Sequence, residues 1–237
     1  MSSTQKIARV TGVLFVITFI TAIAAVVLYG PVIDDPRYVV SSGSDTRVLF
    51  GGLMDVLLVI ANIGTAVVLF PILKRQNEGV ALGYVTARIV ECIFIVIGIV
   101  SLLSVVTLRQ DLAGSAGADA ASLVTAGKSL VASYEWTFLF GPGLLAGLGN
   151  GLLLGYLMYR SGLVPRPMAM LGLIGGTLLA AAFVAVLFGV FEEGSAGQFI
   201  LSAPEIAWEA SLGIYLIVKG FRPSPVLREG SAAGGTS

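Results

Sequence analysis

The chain has 237 residues, 56% of them hydrophobic and 12% charged, about half the charged share of an average soluble domain, and its mean hydropathy is +0.95. That is the composition of a membrane protein, and a balance of 14 basic against 14 acidic residues leaves no basic field to attract nucleic acid. The absence of histidine and the single cysteine, Cys92, remove histidine-bound zinc, His-ligated haem, Ser-His-Asp and Cys-His catalysis and any intrachain disulfide, so no metal or cofactor is expected.

A bilayer core takes about 20 apolar residues per helix, and six stretches qualify, at about 8–30, 48–73, 79–108, 136–159, 167–191 and 199–218. The first follows Lys6 and Arg9 and has no small-residue cleavage site, so it reads as a retained helix and not a signal peptide. A connection with Pro31, Asp34, Asp35 and Pro36 leads to the second span, which is interrupted only by Asp55. The third is interrupted only by Arg88 and Glu91. Between the third and fourth, Ala120, Leu123, Val124, Gly127, Leu130, Val131 and Tyr134 follow i, i+3, i+4, i+7 spacing, which predicts a short helix lying on the outer face with one apolar stripe. The fourth and fifth spans are free of charge apart from their edges. The sixth contains Glu205 and Glu209, yet Ile206, Trp208, Leu212, Ile214, Leu216 and Ile217 would otherwise expose a long apolar surface. The tail, 222–237, is rich in Pro, Gly, Ser and Ala and is expected to be disordered.

Lys6, Arg9, Lys74, Arg75, Arg160, Arg166, Lys219, Arg222 and Arg228 fall on one side of these spans, against Arg37, Arg47, Arg109 and Lys128 on the other. Acidic residues agree, Asp45, Asp111, Asp119, Glu135, Glu192 and Glu193 among them lying on the second side. By the positive-inside rule both termini are cytoplasmic. The expected fold is therefore all-α, a six-helix transmembrane bundle whose partner is the lipid bilayer.

A charge at mid-membrane costs roughly 2.5 to 3.5 kcal/mol on insertion scales, while a Leu, Ile, Phe or Val returns about 0.3 to 0.6. Arg88 and Glu91 stand three residues apart on one helix face, so mutual pairing is the cheapest explanation for both. A rise of about 1.5 Å per residue puts Arg88 roughly 13 Å, Glu91 roughly 18 Å and Glu209 roughly 15 Å from the cytoplasmic ends of their spans. Asn62 and Asn150 come out near the same level, so four of the six spans place a polar group close to the midplane. Asp55, seven residues before Asn62, and Glu205, four before Glu209, extend this centre as a polar track toward the outer side. Four acids then face one base, and without a bound cation at least one acid should be protonated or well hydrated. The plainer alternative is a static interhelical clamp of Arg88, Glu91 and Glu209 with the asparagines as hydrogen-bond glue. Gly143, Gly147, Gly151 and Gly155 form a stripe at spacing four beside Pro142, suited to close helix contact inside the bundle or to a dimer face. Cys92 reads as a small core residue.

Three runs together carry a resemblance: Lys6 to Gly12, Ala87 to Glu91, and the stretch from Pro204 through Trp208 and Glu209 to Phe221. With them the chain resembles the bacterial membrane-protein family catalogued as domain of unknown function 4386. The resemblance implies a six-helix integral protein of bacterial type, hence a multi-pass protein of the plasma membrane, and draws attention to Arg88, Glu91 and Glu209. It implies no activity. An internal echo accompanies it, since Asn62 precedes Leu82 and Gly83 by about the same distance as Asn150 precedes Leu171 and Gly172. Three functions remain open: binding or moving a proton, cation or small molecule; a structural or sensory subunit; or an intramembrane enzyme using carboxylates as acid and base.

Overall fold

The computed structural model describes residues 3–41, 44–113 and 120–227. Asp119, Arg228 and the tail from 228 onward lie outside the described residues. Among the described residues six helices are long and apolar enough to cross a membrane: α1 (Ser3–Asp34), α2 (Thr46–Leu73), α3 (Glu78–Ala113), α4 (Ala120–Ser161), α5 (Arg166–Leu187) and α6 (Ala196–Val218). The chain is thus an all-helical, multi-pass membrane bundle. Each helix packs against the next, and α6 returns to α1, so the six close into a ring. Gln5 Nε2 donates to the Phe221 carbonyl at 3.0 Å, which puts the start of α1 beside the end of α6. The start of α1 and the end of α6 therefore lie on one face, called here the terminal face, opposite a far face.

Helix ends follow their capping residues. Asn77 Oδ1 accepts from Val80 N at 3.0 Å to start α3. Gly162, at φ +67°, closes α4 in the left-handed conformation that glycine adopts without a Cβ penalty. Ser195 accepts from Gln198 N to start α6, while Gln198 Oε1 reaches back to Gly194 N at 2.6 Å. Within α1, Ala8, Thr11, Phe15, Thr18, Ala25, Tyr29 and Val32 are buried at helical spacing. Ile17, Ile20, Ile23 and Val27 face outward, where lipid takes the place of water as the apolar surround.

Among the described residues two large cores and a small one, of Leu58, Ile95 and Ile99, fill the ring. Phe15, Leu69, Tyr84, Leu157, Trp208 and Leu216 pack near the terminal face. Tyr29, Val32, Tyr38, Val48, Leu102, Val106 and Tyr134 pack near the far face. α3 has 36 residues, about 54 Å of helix against roughly 30 Å of hydrocarbon, so it projects beyond the membrane. On the far face it meets the start of α4 and the 3-10 turn Tyr38–Val40 in a small head. Arg109 of α3 fixes that head: its Nη1 pairs with Asp45 at 2.5 Å, its Nε donates to the Ser41 carbonyl at 3.1 Å, and its guanidinium lies 4.6 Å from the Tyr38 ring centre. Tyr38 donates its hydroxyl to Asp45 at 2.9 Å.

Three sequence expectations change. The apolar stripe from Ala120 to Tyr134 does not form a separate helix lying on the outer face, because it runs without a break into the fourth span as one 42-residue element. That element is also not α-helical throughout: Leu139–Leu145 and Gly147–Leu154 are π-helical. Pro142 has no N–H to donate and its ring crowds the carbonyl one turn back, and the surrounding glycines favour no regular α-helix. Ala146 N accordingly donates five residues back, to Gly141 O. The tail, finally, is ordered as far as Leu227, since Ser224 Oγ donates to the Ser161 carbonyl at 2.5 Å, Arg222 N donates to Leu163 O at 2.8 Å, and Val226 is buried.

Candidate functional site

The interior of the ring holds two adjoining polar cells. The first joins α2 and α3. Arg88 Nη1 donates to Glu91 Oε2 at 2.7 Å, Arg88 Nη2 donates to Asn62 Oδ1, and Asn62 Nδ2 donates to Glu91 Oε1 at 3.2 Å. Base, acid and amide each bond to the other two, so the cell is closed and neutral. Arg88 is 2% exposed and Glu91 4%. Among the described residues Arg88 Nε has no hydrogen-bond partner, and the Tyr84 hydroxyl, one turn away, has none either.

The second cell joins α4 and α6. Asn150 Nδ2 donates to Glu209 Oε1, and the backbone carbonyl of Asn150 accepts from Trp208 Nε1 at 3.0 Å. Asn150 Oδ1 is buried without a partner. The asparagines of the two echoing hairpins thus do the same work, each donating to a carboxylate on another helix. Arg88 and Glu209 do not form an ion pair, since no nitrogen of one lies within 4.0 Å of an oxygen of the other. They remain within electrostatic reach. The expected three-residue clamp is therefore a pair of cells coupled through space.

Glu205 stands one turn from Glu209, toward the far face. It is 3% exposed, and among the described residues neither of its carboxyl oxygens has a hydrogen-bond partner. Glycines make this burial possible. A Cβ at Gly151 or Gly175 would come within 2.7 Å of Glu205 Oε2, and one at Gly172 within 2.6 Å of the Trp208 indole. Of the expected glycine stripe, Gly147, Gly151 and Gly155 lie against α5, at Gly176, Leu179, Ala169, Leu173 and Gly172, which makes it an internal contact. Gly143 faces only its own helix, because the wide π turns break the alignment that spacing four gives in an α-helix.

Asp55 does not join these cells. It is 7% exposed and sits on α2 beside the Tyr29 hydroxyl of α1, with Tyr134 edge-on to Tyr29 at 5.6 Å between ring centres. The expected track therefore divides, with Glu205 belonging to the centre and Asp55 to the far-face core. Cys92 is buried in the core, its Sγ 3.8 Å from the Val59 carbonyl. Sequence reasoning passed over Tyr84, Tyr29 and the α5 glycines Gly172, Gly175 and Gly176. The close spacing of those glycines was the available signal.

The profile described as Domain of unknown function (DUF4386) matches residues 10–220. The chain belongs to this family. The match takes in both polar cells, Glu205, Asp55 and the membrane-spanning helices from residue 10 of α1 onward, and leaves out the start of α1 and the whole tail. Neither a curated protein nor a solved structure matches the chain.

Proposed function

We propose that this family member binds protons in its membrane interior and carries them across, Glu205 and Glu209 being the exchanging groups. The observation behind the reading is the Glu205 carboxyl, buried with no hydrogen bond to either oxygen while the one nearby base already serves Glu91 and Asn62. An ionised carboxylate in that position is far more costly than a neutral one, so Glu205 rests as the acid and becomes a carboxylate only when it passes its proton on. Glu209, one turn away and held on one side by Asn150, is the natural exchange partner. The glycine walls of α4 and α5 against Glu205 favour a proton over a solute, since little space remains beside the carboxyl. We further propose that the terminal face is cytoplasmic and that the membrane is a bacterial plasma membrane. Lys6, Arg9, Lys74, Arg75, Arg160, Arg166, Lys219 and Arg222 support that orientation.

The test is proton flux into liposomes that hold the full chain and an internal pH-sensitive dye. Wild type is expected to dissipate an imposed pH gradient, and Glu205→Gln, which keeps the shape and melting temperature, to abolish the flux. Liposomes with the protein that leak no faster than empty ones would end this reading, as would undiminished flux in a Glu205→Gln/Glu209→Gln variant. A second reading, a helix clamp without transport, draws on the closure of the Arg88, Glu91 and Asn62 cell. It expects carboxylate-to-amide changes to move the melting temperature and nothing else.

A further inference from the structure

Away from the polar cells, the far-face head carries a half-open cavity of about 240 Å³ between the end of α1, the Tyr38–Val40 turn, α3 and the start of α4. Its walls are aliphatic, with Val32 and Val105 buried and Val131 half-buried. Its rim is charged, with Asp35 at the start of the first connection, just after α1, and Lys128 and Glu135 on α4. Neither Lys128 nor Glu135 has an ion-pair or hydrogen-bond partner among the described residues. Asp35 uses one oxygen, accepting from Arg37 N at 2.9 Å. Opposite charges on the rim of one cavity ordinarily find each other when their side chains reach. Here they stay apart, and seven residues of helix separate Lys128 from Glu135, roughly 10 Å. That gap suits a molecule carrying both signs a few bonds apart, with a salt contact at either end. The volume lies below the roughly 300 Å³ at which drug-sized sites begin, so the occupant is of amino-acid size. Tyr38 on the wall is held by Asp45 and Arg109, which gives the site one rigid side before anything binds.

We propose that this cavity binds a small zwitterion with a short aliphatic body, its ammonium at Asp35 and Glu135 and its acid group at Lys128. The site is independent of the proton reading, and its failure would leave that reading untouched. Two sources supply such chemistry, a free amino acid and the headgroup of a zwitterionic lipid.

Isothermal titration of the detergent-solubilised full chain separates them, with L-leucine as the free zwitterion and a short-chain phosphatidylethanolamine as the lipid. Isoamylamine and isocaproate serve as probes with one charge each. Saturable leucine binding with a Kd of about 1 mM or tighter is expected, with each single-charge probe about tenfold weaker. Lys128→Gln and Glu135→Gln, both on the head surface, should each weaken it about tenfold. Val131→Phe, filling the cavity from α4, should remove it. Binding of the lipid without leucine would keep the ligand class and assign it to the membrane. Wild type that takes up neither zwitterion, or leucine binding unchanged by Lys128→Gln, would overturn the proposal.

Discussion

α3 carries two arginine–carboxylate pairs, Arg88 with Glu91 at 2.7 Å and Arg109 with Asp45 at 2.5 Å, and the two have different consequences. Arg88 lies among the apolar side chains of the membrane interior, and its partner is on the same helix, so the bond itself joins nothing. It is Asn62 that turns the pair into a link between α2 and α3. Arg109 stands 21 residues further on, about 31 Å along the rod, and ties a connecting segment, a 3-10 turn and an aromatic ring to α3. An ion pair in lipid is thus chiefly a way of keeping charge tolerable, whereas the same pair at the membrane edge works as a latch.

The sharpest way to break this comparison is to remove Arg88. Arg88→Met leaves Glu91 and Glu209 without a base and is expected to cost about 3 to 5 kcal/mol, read as a large drop in melting temperature or loss of folded protein. Replacing the whole cell, Arg88→Met with Glu91→Met and Asn62→Leu, should recover most of that loss, because no unpaired charge remains. Failure of the triple variant to recover would mean that the cell contributes more than charge compensation. Gly175→Leu tests the wall between the centre and the lipid. Its side chain would press on the Glu205 backbone, whose N lies 2.6 Å from the position of a Cβ, and should cost about 1 to 3 kcal/mol. Arg109→Ala should cost about 1 to 3 kcal/mol, confined to the head. Hydrogen exchange would rise at Tyr38–Val40 and stay unchanged around Trp208. A rise in both places would make the two regions one cooperative unit.

The smallest effect concerns Glu193, in the connection between α5 and α6, where partial burial and the nearby Glu135 carboxylate push its pKa from 4.5 up to about 7. A folded pKa above the unfolded one means that the folded state binds more protons between them, so this residue's contribution to stability falls as pH rises from 4.5 to about 7. Melting temperature followed across that window should decline less in Glu193→Gln than in wild type.

The spans were legible in the sequence because hydropathy is a sum over some 20 residues that Asp55 or Glu205 cannot overturn. Depth was legible too, since rise per residue is fixed, and Asn62 and Glu91 do meet. Direction around the ring was not. Asp55 and Glu205 both continued the centre outward on their own helices, yet one faces Tyr29 on α1 and the other the glycines of α4 and α5, which depends on the order in which helices close. The π-helical course of α4 was hidden for a related reason: Gly143, Gly147, Gly151 and Gly155 form a straight stripe only if every turn is an α turn. The latch at Arg109 escaped notice because its partner Asp45 is 64 residues earlier, in a connection without periodicity. The contacts of the first tail residues were missed because a polar composition says nothing of Ser224 meeting the carbonyl of Ser161.

The wide winding of α4 has a mechanical consequence. Its loose turns are slack wound into a rod whose two ends are anchored, one in the head and one at Gly162. Tightening a single loop to ordinary pitch would feed length toward one end and swivel Asn150, so the segment that grips Glu209 is also the segment of the ring with thread to spare.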